Sequence, residues 1–264
     1  MRLILTNSLD PYYNLACEEY YLRDTEDDVF LLWQNRPTVV IGRNQNLYDE
    51  VDLSYTEKEG IEVVRRITGG GAVYHDLGNV NYSFITSREK AAVLDFDYFT
   101  RPIRDTLLSL GIEAVLSGRN DLVVSAPDGS FLKFSGNAET ATDRRILSHG
   151  TLLFDSDLGV LSKALKPDPE KLKKRAIQSV RSRVTNLKPL VSDQKMETPE
   201  FFRFSFAPSN HGTGSQEKRL WKRRRSAGTR NGTGRRITLR AEKRPMTGCS
   251  GSVSSRDLWC CYMI

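Results

Sequence analysis

The sequence of 264 residues predicts an α/β fold of the α+β type, in which helices flank a mixed, largely antiparallel sheet. Short apolar runs alternate with turn sequences, and the clearest pair is Asp121–Ser125 and Phe131–Gly136 around Asp128-Gly129. Segments with helical spacing, such as Asp97–Leu110, separate these runs. Because strands joined by hairpins pair antiparallel, we expect the antiparallel direction to dominate.

The first third of the chain predicts two helices and two strands. Asn14 is expected to cap a helix that continues to residue 23. Two strands, Val29–Gln34 and Thr38–Gly42, then follow around the turn sequence Asn35-Arg36-Pro37. A polar segment with helical spacing, Leu53–Gly60, ends at a glycine, which is a typical residue directly after a helix.

The middle of the chain predicts mainly strands. An apolar run over residues 61–67 leads into three consecutive glycines, and a second run follows from Ala72 to Tyr74. Further strands are predicted at Val80–Thr86, in the Asp-Gly hairpin, and at His149–Phe154.

The charge distribution divides the chain into two parts. The whole chain contains 39 Lys and Arg and 33 Asp and Glu. Residues 205–264 contain 13 of the basic and 3 of the acidic side chains, which leaves 26 basic and 30 acidic side chains for residues 1–204. We therefore expect a globular domain over 1–204 without affinity for nucleic acid, and a basic Arg/Ser/Gly-rich tail over 205–264.

The predicted tail contains few large apolar residues, so we expect it to be disordered. The abrupt change in composition favours an origin in a reading-frame change. The rival hypothesis is a genuine basic tail that binds nucleic acid or an acidic surface through Lys222-Arg223-Arg224-Arg225.

Cysteine use and hydropathy indicate a cytoplasmic protein. Only Cys17 of the four cysteines lies in residues 1–204, which does not form a disulfide framework. The amino-terminal residues have neither the apolar stretch of a signal peptide nor the bias of a transit peptide, and no membrane segment is expected.

The three glycines Gly69, Gly70 and Gly71 are the first candidate for a binding site. Consecutive glycines expose backbone N–H groups, and the neighbouring Arg65 and Arg66 offer paired hydrogen bonds to phosphate or carboxylate. The alternative is an ordinary turn between two strands, since neither stricter phosphate-binding glycine motif is present. His75 and Asp76 directly after the loop, with Asn79 and Asn81 beyond, favour an anionic ligand.

Lys133 is the strongest single candidate for chemistry. The predicted hairpin places Asn120 and Asp121 at one strand end and Lys133 on the partner strand. A cation there suits a developing charge on phosphorus or a carboxylate, whereas the alternative is an outward-facing lysine of an edge strand. Asp121 is either a residue that starts the strand or a ligand of Mg²⁺ beside a polyphosphate. His75 and His149 are each interpreted first as structural histidines.

Six motifs occur together and in a fixed order: L-W-Q-N-R-P-T-V-V-I-G-R-N-Q-N, R-R-I-T-G-G-G-A-V-Y-H-D-L-G-N, G-R-N-D-L-V-V, K-F-S-G-N-A, S-H-G-T-L-L and S-V-R-S-R-V-T-N-L. As a set they resemble the catalytic domain of the lipoate–protein ligase family, in the biotin/lipoate ligase superfamily. The resemblance extends from about Arg2 to Leu190.

The resemblance implies a two-step reaction. Lipoate and ATP give lipoyl-AMP and pyrophosphate, and the lipoyl group then passes to a lysine of an acceptor protein. It implies that Lys133 is catalytic and contacts both lipoate and ATP, without a covalent bond to either. The other implied ATP contacts are Arg66, Gly71, Ala72, Val73 and Tyr74. The implied lipoate contacts are Trp33, Thr68, Gly70 and His149, and Val73 is a further candidate for the pocket wall. Asp121 and Asn120 are expected to hold Mg²⁺.

The implied partners are the lipoyl domains of 2-oxoacid dehydrogenase E2 subunits, the glycine cleavage H protein and a separate accessory C-terminal domain protein. Two alternatives stay open. One is a truncated, catalytically weak protein that binds lipoyl groups or lipoyl-AMP. The other is an octanoyl or lipoyl transferase, which uses a cysteine nucleophile; the position of Cys17 on the first helix favours the ligase.

Overall fold

The computed structural model describes residues 1–166 and 183–204, and the bounds below refer to these residues. The strands, numbered β1 to β11 along the chain, are Arg2–Leu5, Val29–Trp33, Thr38–Ile41, Glu62–Arg65, Val73–His75, Asn79–Ser87, Val115–Ser117, Asp121–Ser125, Phe131–Ala141, Arg145–Leu153 and Arg183–Val184. The helices, α1 to α6, are Pro11–Arg23, Leu47–Glu50, Leu53–Lys58, Phe96–Ser109, Leu158–Ala164 and Thr198–Phe204, and a 3₁₀ turn covers Lys188–Leu190. The predicted tail and the first residues of the motif S-V-R-S-R-V-T-N-L lie outside the described residues.

The larger sheet has eight strands, seven of them in the order β1-β2-β6-β10-β9-β8-β7, with β11 paired to β9. Five of its seven strand pairs are antiparallel, and the parallel ones are β1 with β2 and β11 with β9. A second sheet has three strands in the order β4-β3-β5, of which β3 and β4 run parallel. The predicted mixed, largely antiparallel α/β fold is therefore confirmed.

Two apolar cores cover the two faces of the larger sheet. Phe30, Tyr82, Phe134 and Ile146 lie on one face and pack against α4 and against α6. On the other face, Leu31, Trp33 and Leu147 pack against α1. This alternation along each strand follows from the two-residue repeat of side-chain direction. The second sheet has its own core, which includes Val39, Tyr74 and Ala164.

Helix α1 begins earlier than the sequence analysis predicts. Its N-cap is Asp10, whose carboxylate accepts hydrogen bonds from the backbone N–H groups of Tyr12 and Tyr13, and Pro11 occupies the first turn. Asn14, the predicted cap, is buried inside the helix and donates to the carbonyls of Ser8 and Gln34. The prediction of Asn14 as the cap is therefore wrong, because Asp10-Pro11 is the stronger start signal.

The predicted hairpin is present as β8 and β9, which pair antiparallel around Asp128-Gly129. The pairing contains one irregularity: Leu122 lies opposite Ser135, whereas Val123 lies opposite Lys133. Phe134 is thus an extra residue on β9, which is the definition of a β-bulge.

None of the helices in the described part of the chain is long and apolar enough to cross a membrane.

Candidate active site

A cavity of about 120 Å³ lies between the larger sheet and the glycine loop that connects β4 to β5 of the second sheet. A row of residues across five strands forms its floor. Trp33 is paired with Asn81, and Asn81 with Thr151. Thr151 Oγ1 accepts a hydrogen bond of 3.2 Å from the backbone N–H of Gly136, and Gly136 is paired with Asp121. Since cross-strand partners share a face, all five residues line the cavity.

The glycine loop lies over this floor and is held from below by Arg66. The buried guanidinium donates from Nη2 to the carbonyls of Gly69 and Gly71, at 2.7 and 2.8 Å. It also donates from Nη1 to the carbonyl of Val40, at 3.1 Å, and from Nε to Thr68 Oγ1, at 2.9 Å. Burial lowers the pKa of Arg66 to about 10, so the side chain stays charged at neutral pH. Three of its five N–H donors therefore organise the loop itself, and a fourth ties the loop to β3.

Two glycines allow the loop its close approach. A Cβ on Gly42 would lie 2.1 Å from the carbonyl oxygen of Gly70, which only a residue without a side chain avoids. Gly70 itself has a φ of +94°, in the region that favours glycine. Arg65 donates to the carbonyls of Gly42, Arg43 and Gln45, so this second arginine supports the neighbouring turn and does not line the cavity.

Lys133 and Asp121 form the charged end of the cavity. Lys133 Nζ lies 2.8 Å from Asp121 Oδ1, and both side chains are about one third exposed. The bulge in β9 is responsible, because it gives Lys133 the partner Val123, which shares a face with Asp121. In an unshifted register Lys133 would lie opposite Val124, whose side chain belongs to the core on the other face. A Cβ on Gly136 would be 3.4 Å from Lys133 Nζ, so this ammonium lies above Gly136.

A buried hydrogen-bond network connects α1 to the cavity wall. Glu18 Oε1 accepts from Ser83 Oγ and lies 2.8 Å from His149 Nδ1, and Trp33 Nε1 donates to Ser83 Oγ at 2.9 Å. On the other side of the ring, His149 Nε2 lies 2.9 Å from Thr68 Oγ1, which also accepts from Arg66. The network places Trp33, His149 and the loop in one fixed arrangement.

Sequence reasoning missed Glu18 as part of the site, because a glutamate in the middle of a helix carries no pattern that separates it from a surface residue. The structure places nearly all of the predicted site residues at the cavity: Lys133, Asp121, Asn120, Arg66, Gly70, Gly71, Ala72, Val73, Trp33 and His149 line it. Thr68 lies behind Arg66 and His149, and Tyr74 is buried in the core of the second sheet.

Few side chains at this site can coordinate Mg²⁺. Asp121 is the one carboxylate that lines the cavity, and Asn120 Nδ2 donates to the carbonyl of Asn137. Residues 1–166 and 183–204 contain no group of three or more His, Cys, Asp or Glu side chains that is arranged to hold a metal ion. One carboxylate fits a Mg²⁺ ion that arrives with a polyphosphate and takes its other ligands from phosphate and water.

Within the same two ranges Cys17 is the only cysteine, and it does not line the cavity. Burial raises the pKa of the Cys17 thiol, which disfavours the nucleophilic thiolate.

Residues 10–204 match the family model of the lipoyl protein ligase A/B catalytic domain, and the chain belongs to this family. Over 197 residues it is 49% identical to the lipoate-protein ligase LplJ of Bacillus subtilis, which covers 74% of this chain and 58% of that protein. It is 46% identical to lipoate–protein ligase 1 of Staphylococcus aureus over 204 residues, which covers 76% of this chain and 60% of that protein. The chain thus matches less than two thirds of the length of either relative.

Solved structures agree with this assignment. A bipartite lipoate protein ligase from Thermoplasma acidophilum, studied with its E2 lipoyl domain, is similar with a TM-score of 0.66 at 29% identity, over 84% of this chain and 90% of that chain. A lipoate-protein ligase A bound with ATP is similar with a TM-score of 0.61 at 30% identity, over 78% and 81% of the two chains. LipL1 of P. falciparum in complex with lipoate gives a TM-score of 0.62 at 29% identity, over 77% and 62%.

Proposed function

We propose that this chain is an ATP-dependent lipoate–protein ligase, which activates lipoate as lipoyl-AMP and transfers the lipoyl group to a lysine of an acceptor lipoyl domain. The observation that carries the proposal is the Lys133 ammonium, which is oriented by Asp121 and lies beneath a glycine loop held by Arg66. Relatives named lipoate–protein ligases, and similar structures with bound lipoate or ATP, support it.

The first step brings together two groups of like charge. A carboxylate oxygen of lipoate attacks the α-phosphorus of ATP, the bond from the α-phosphorus to its bridging oxygen breaks, and pyrophosphate leaves. A lysine ammonium between the two anions reduces their repulsion and stabilises the additional negative charge on the phosphoryl oxygens. The ion pair with Asp121 keeps the long Lys133 side chain in position before the substrates bind.

The second step forms an amide. The neutral amine of the acceptor lysine attacks the acyl carbon of lipoyl-AMP, the acyl–phosphate bond breaks, and AMP leaves while the amine loses a proton. The same ammonium stabilises the departing phosphate. In this proposal Lys133 acts in both steps through its charge and never forms a covalent bond.

The glycine loop contributes backbone geometry. Residues 71–74 follow the loop into β5, and Ala72 and Val73 line the cavity, which suits the phosphate and base of a nucleotide. Trp33 and His149, on β2 and β10 of the larger sheet, also line the cavity and suit the acyl chain. We further propose that Mg²⁺ binds with ATP beside Asp121, neutralising phosphate charge.

We propose that the acceptors are lipoyl domains of E2 subunits or the H protein, and that a separate accessory domain assists the reaction. A similar T. acidophilum ligase is itself bipartite and was studied with an E2 lipoyl domain. The second candidate function is a weakly catalytic protein that binds lipoyl-AMP in the same cavity.

The test is lipoate-dependent exchange of labelled pyrophosphate into ATP by the full chain. We expect exchange in the wild type and a loss of about 10²–10³-fold in Lys133→Ala, because one preorganised charge that stabilises the transition state is removed. The matched control is Lys90→Ala, which removes another lysine from an ion pair, with Asp28, away from the cavity. Full exchange in Lys133→Ala would refute the role of Lys133. Tight binding of lipoyl-AMP without exchange in the wild type would establish the second candidate.

A further inference from the structure

His75 carries a buried nitrogen that the protein leaves without a partner. The side chain is 3% exposed and lies on β5, and it lines the cavity. Its Nδ1 atom is 3.2 Å from Asn35 Nδ2, whereas its Nε2 atom has no hydrogen-bond partner within residues 1–166 and 183–204. Neither the ion pair of Lys133 nor the network around Glu18 includes this ring.

The surrounding amides determine which nitrogen of His75 carries the proton. Asn14 Nδ2 lies 3.0 and 2.9 Å from two backbone carbonyls, of Ser8 and Gln34, so this atom is the donor end of the Asn14 amide. The same atom donates to Asn35 Oδ1 at 3.0 Å, which turns Asn35 Nδ2 toward His75. His75 Nδ1 must therefore accept, and the proton of the neutral ring is on Nε2.

The ring is neutral in the ligand-free protein. Burial, with further contributions from the charges of Arg66 and His149, lowers the pKa of His75 to about 3. The result is a neutral N–H donor of fixed direction.

Neighbouring contacts hold this donor rigidly. The Trp33 indole lies edge-on to the His75 ring, with ring centroids 5.8 Å apart and an interplanar angle of 71°. The backbone of His75 is paired with Thr38 in the second sheet. Asn81, 1% exposed and also at the cavity, accepts from Asn79 through its Oδ1, and its Nδ2 is a second buried donor without a partner among the described residues.

A buried donor without a partner is rare in folded proteins, because leaving it unpaired costs free energy. Such a group in the wall of a cavity indicates a ligand that completes the hydrogen bond. Trp33, whose indole contacts the His75 ring, is paired with Asn81, and Asn81 lies two strands away from Gly136, above which Lys133 Nζ is found. Two strand spacings amount to about 10 Å, which places the Trp33 side of the row away from the lysine.

We infer that His75 is a ligand-binding residue, whose Nε2–H donates to an anionic oxygen of the bound substrates, with Asn81 as its neighbour. This inference rests on the proposed function, from which the two possible sources of the oxygen follow: the carboxylate of lipoate or a phosphate of ATP. Both are strong acceptors, since hydrogen bonds to charged oxygens are stronger than those to neutral ones.

The experiment measures binding of lipoate alone and of MgATP alone to the full-length wild type and to two variants, by titration calorimetry. His75→Phe retains a ring of similar shape without the donor, and His75→Gln retains a side-chain N–H. We expect His75→Phe to weaken one or both ligands by about 10- to 100-fold, and His75→Gln to recover part of the loss. The ligand that loses affinity identifies the oxygen.

Imidazole ¹⁵N–¹H spectra provide a readout that a purely structural role would not change. The chain has three histidines, so the signals of His75 are assigned by comparison with the variants. We expect the Nε2–H tautomer in the ligand-free wild type and a shift of this resonance with the same ligand that the calorimetry identifies.

Each outcome distinguishes the inference from the function on which it rests. If the wild type binds lipoate or ATP and His75→Phe binds both equally well, with an unchanged melting temperature, the inference is wrong and the proposed function stands. The Nδ1–H tautomer in the ligand-free wild type would also overturn it. If the wild type binds neither ligand, the proposed function and the inference fail together.

Discussion

Replacement of Arg66 by leucine is expected to destabilise the fold as well as the ligand site. The guanidinium donates four hydrogen bonds, to the carbonyls of Val40, Gly69 and Gly71 and to Thr68 Oγ1. Leucine fills part of the same volume and supplies no donor. The four acceptors therefore lose their hydrogen bonds to Arg66, while the apolar packing is largely retained.

The loss of stability depends on whether water can reach each acceptor after the substitution. Val40 and Thr68 are fully buried, so each hydrogen bond that they lose to the charged guanidinium costs about 1–3 kcal/mol, although Thr68 Oγ1 keeps its contact with His149 Nε2. The glycine loop is more exposed, and its carbonyls regain hydrogen bonds to water at little cost. We expect a loss of about 2–4 kcal/mol in the free energy of unfolding, which lowers the melting temperature by roughly 5–15 °C.

The assay is denaturant and thermal unfolding without ligand, together with hydrogen exchange of the loop amides. Arg65→Leu is the matched control: Arg65 also donates to three backbone carbonyls, but it is exposed, and we expect a loss below about 1 kcal/mol. A variant Arg66→Leu with unchanged stability and loop exchange, but with weakened ATP binding, would refute the reasoning. Arg66 would then act on the ligand alone.

Two further predictions concern the loop and the cavity histidine. Gly42→Ala places a Cβ 2.1 Å from the carbonyl oxygen of Gly70, so we expect pyrophosphate exchange to fall more than tenfold. Gly69→Ala is the control, because no atom lies within 4 Å of its Cβ, and this variant should retain activity. Equal activities of the two variants would contradict the role of the close approach. The pKa of His75, about 3, is below its ordinary value, so the unfolded chain binds the extra proton first and stability falls with decreasing pH between about 6.5 and 3. We expect the titration of His75 to lower the free energy of unfolding by about 2 kcal/mol between pH 7 and pH 5. Chemical denaturation of His75→Phe should lack this part of the pH dependence. An identical pH profile for the wild type and the variant would show that the ring is not buried and neutral.

Much of the candidate site was accessible to sequence reasoning. The three glycines and the Asp-Gly turn are local signals, and local signals predict the loop and the hairpin with the approximate position of Lys133 relative to Asp121. The start of α1 was predicted wrongly although its signal, Asp10-Pro11, is also local. The roles of the individual site residues stay predictions until the variants are measured.

The sequence by itself determined the fold class and the order of the strands along the chain, because hydrophobic period and turn chemistry act over a few residues. Most of the expected site residues came from the resemblance of six motifs to a family. Only the tertiary structure decided the direction of the side chains. One extra residue in β9 turns Lys133 from the core face to the cavity, and a change of one residue always exchanges the two faces of a strand. The partners of Arg66 and the proton position of His75 depend on residues up to 61 positions away in the chain, which no local pattern contains.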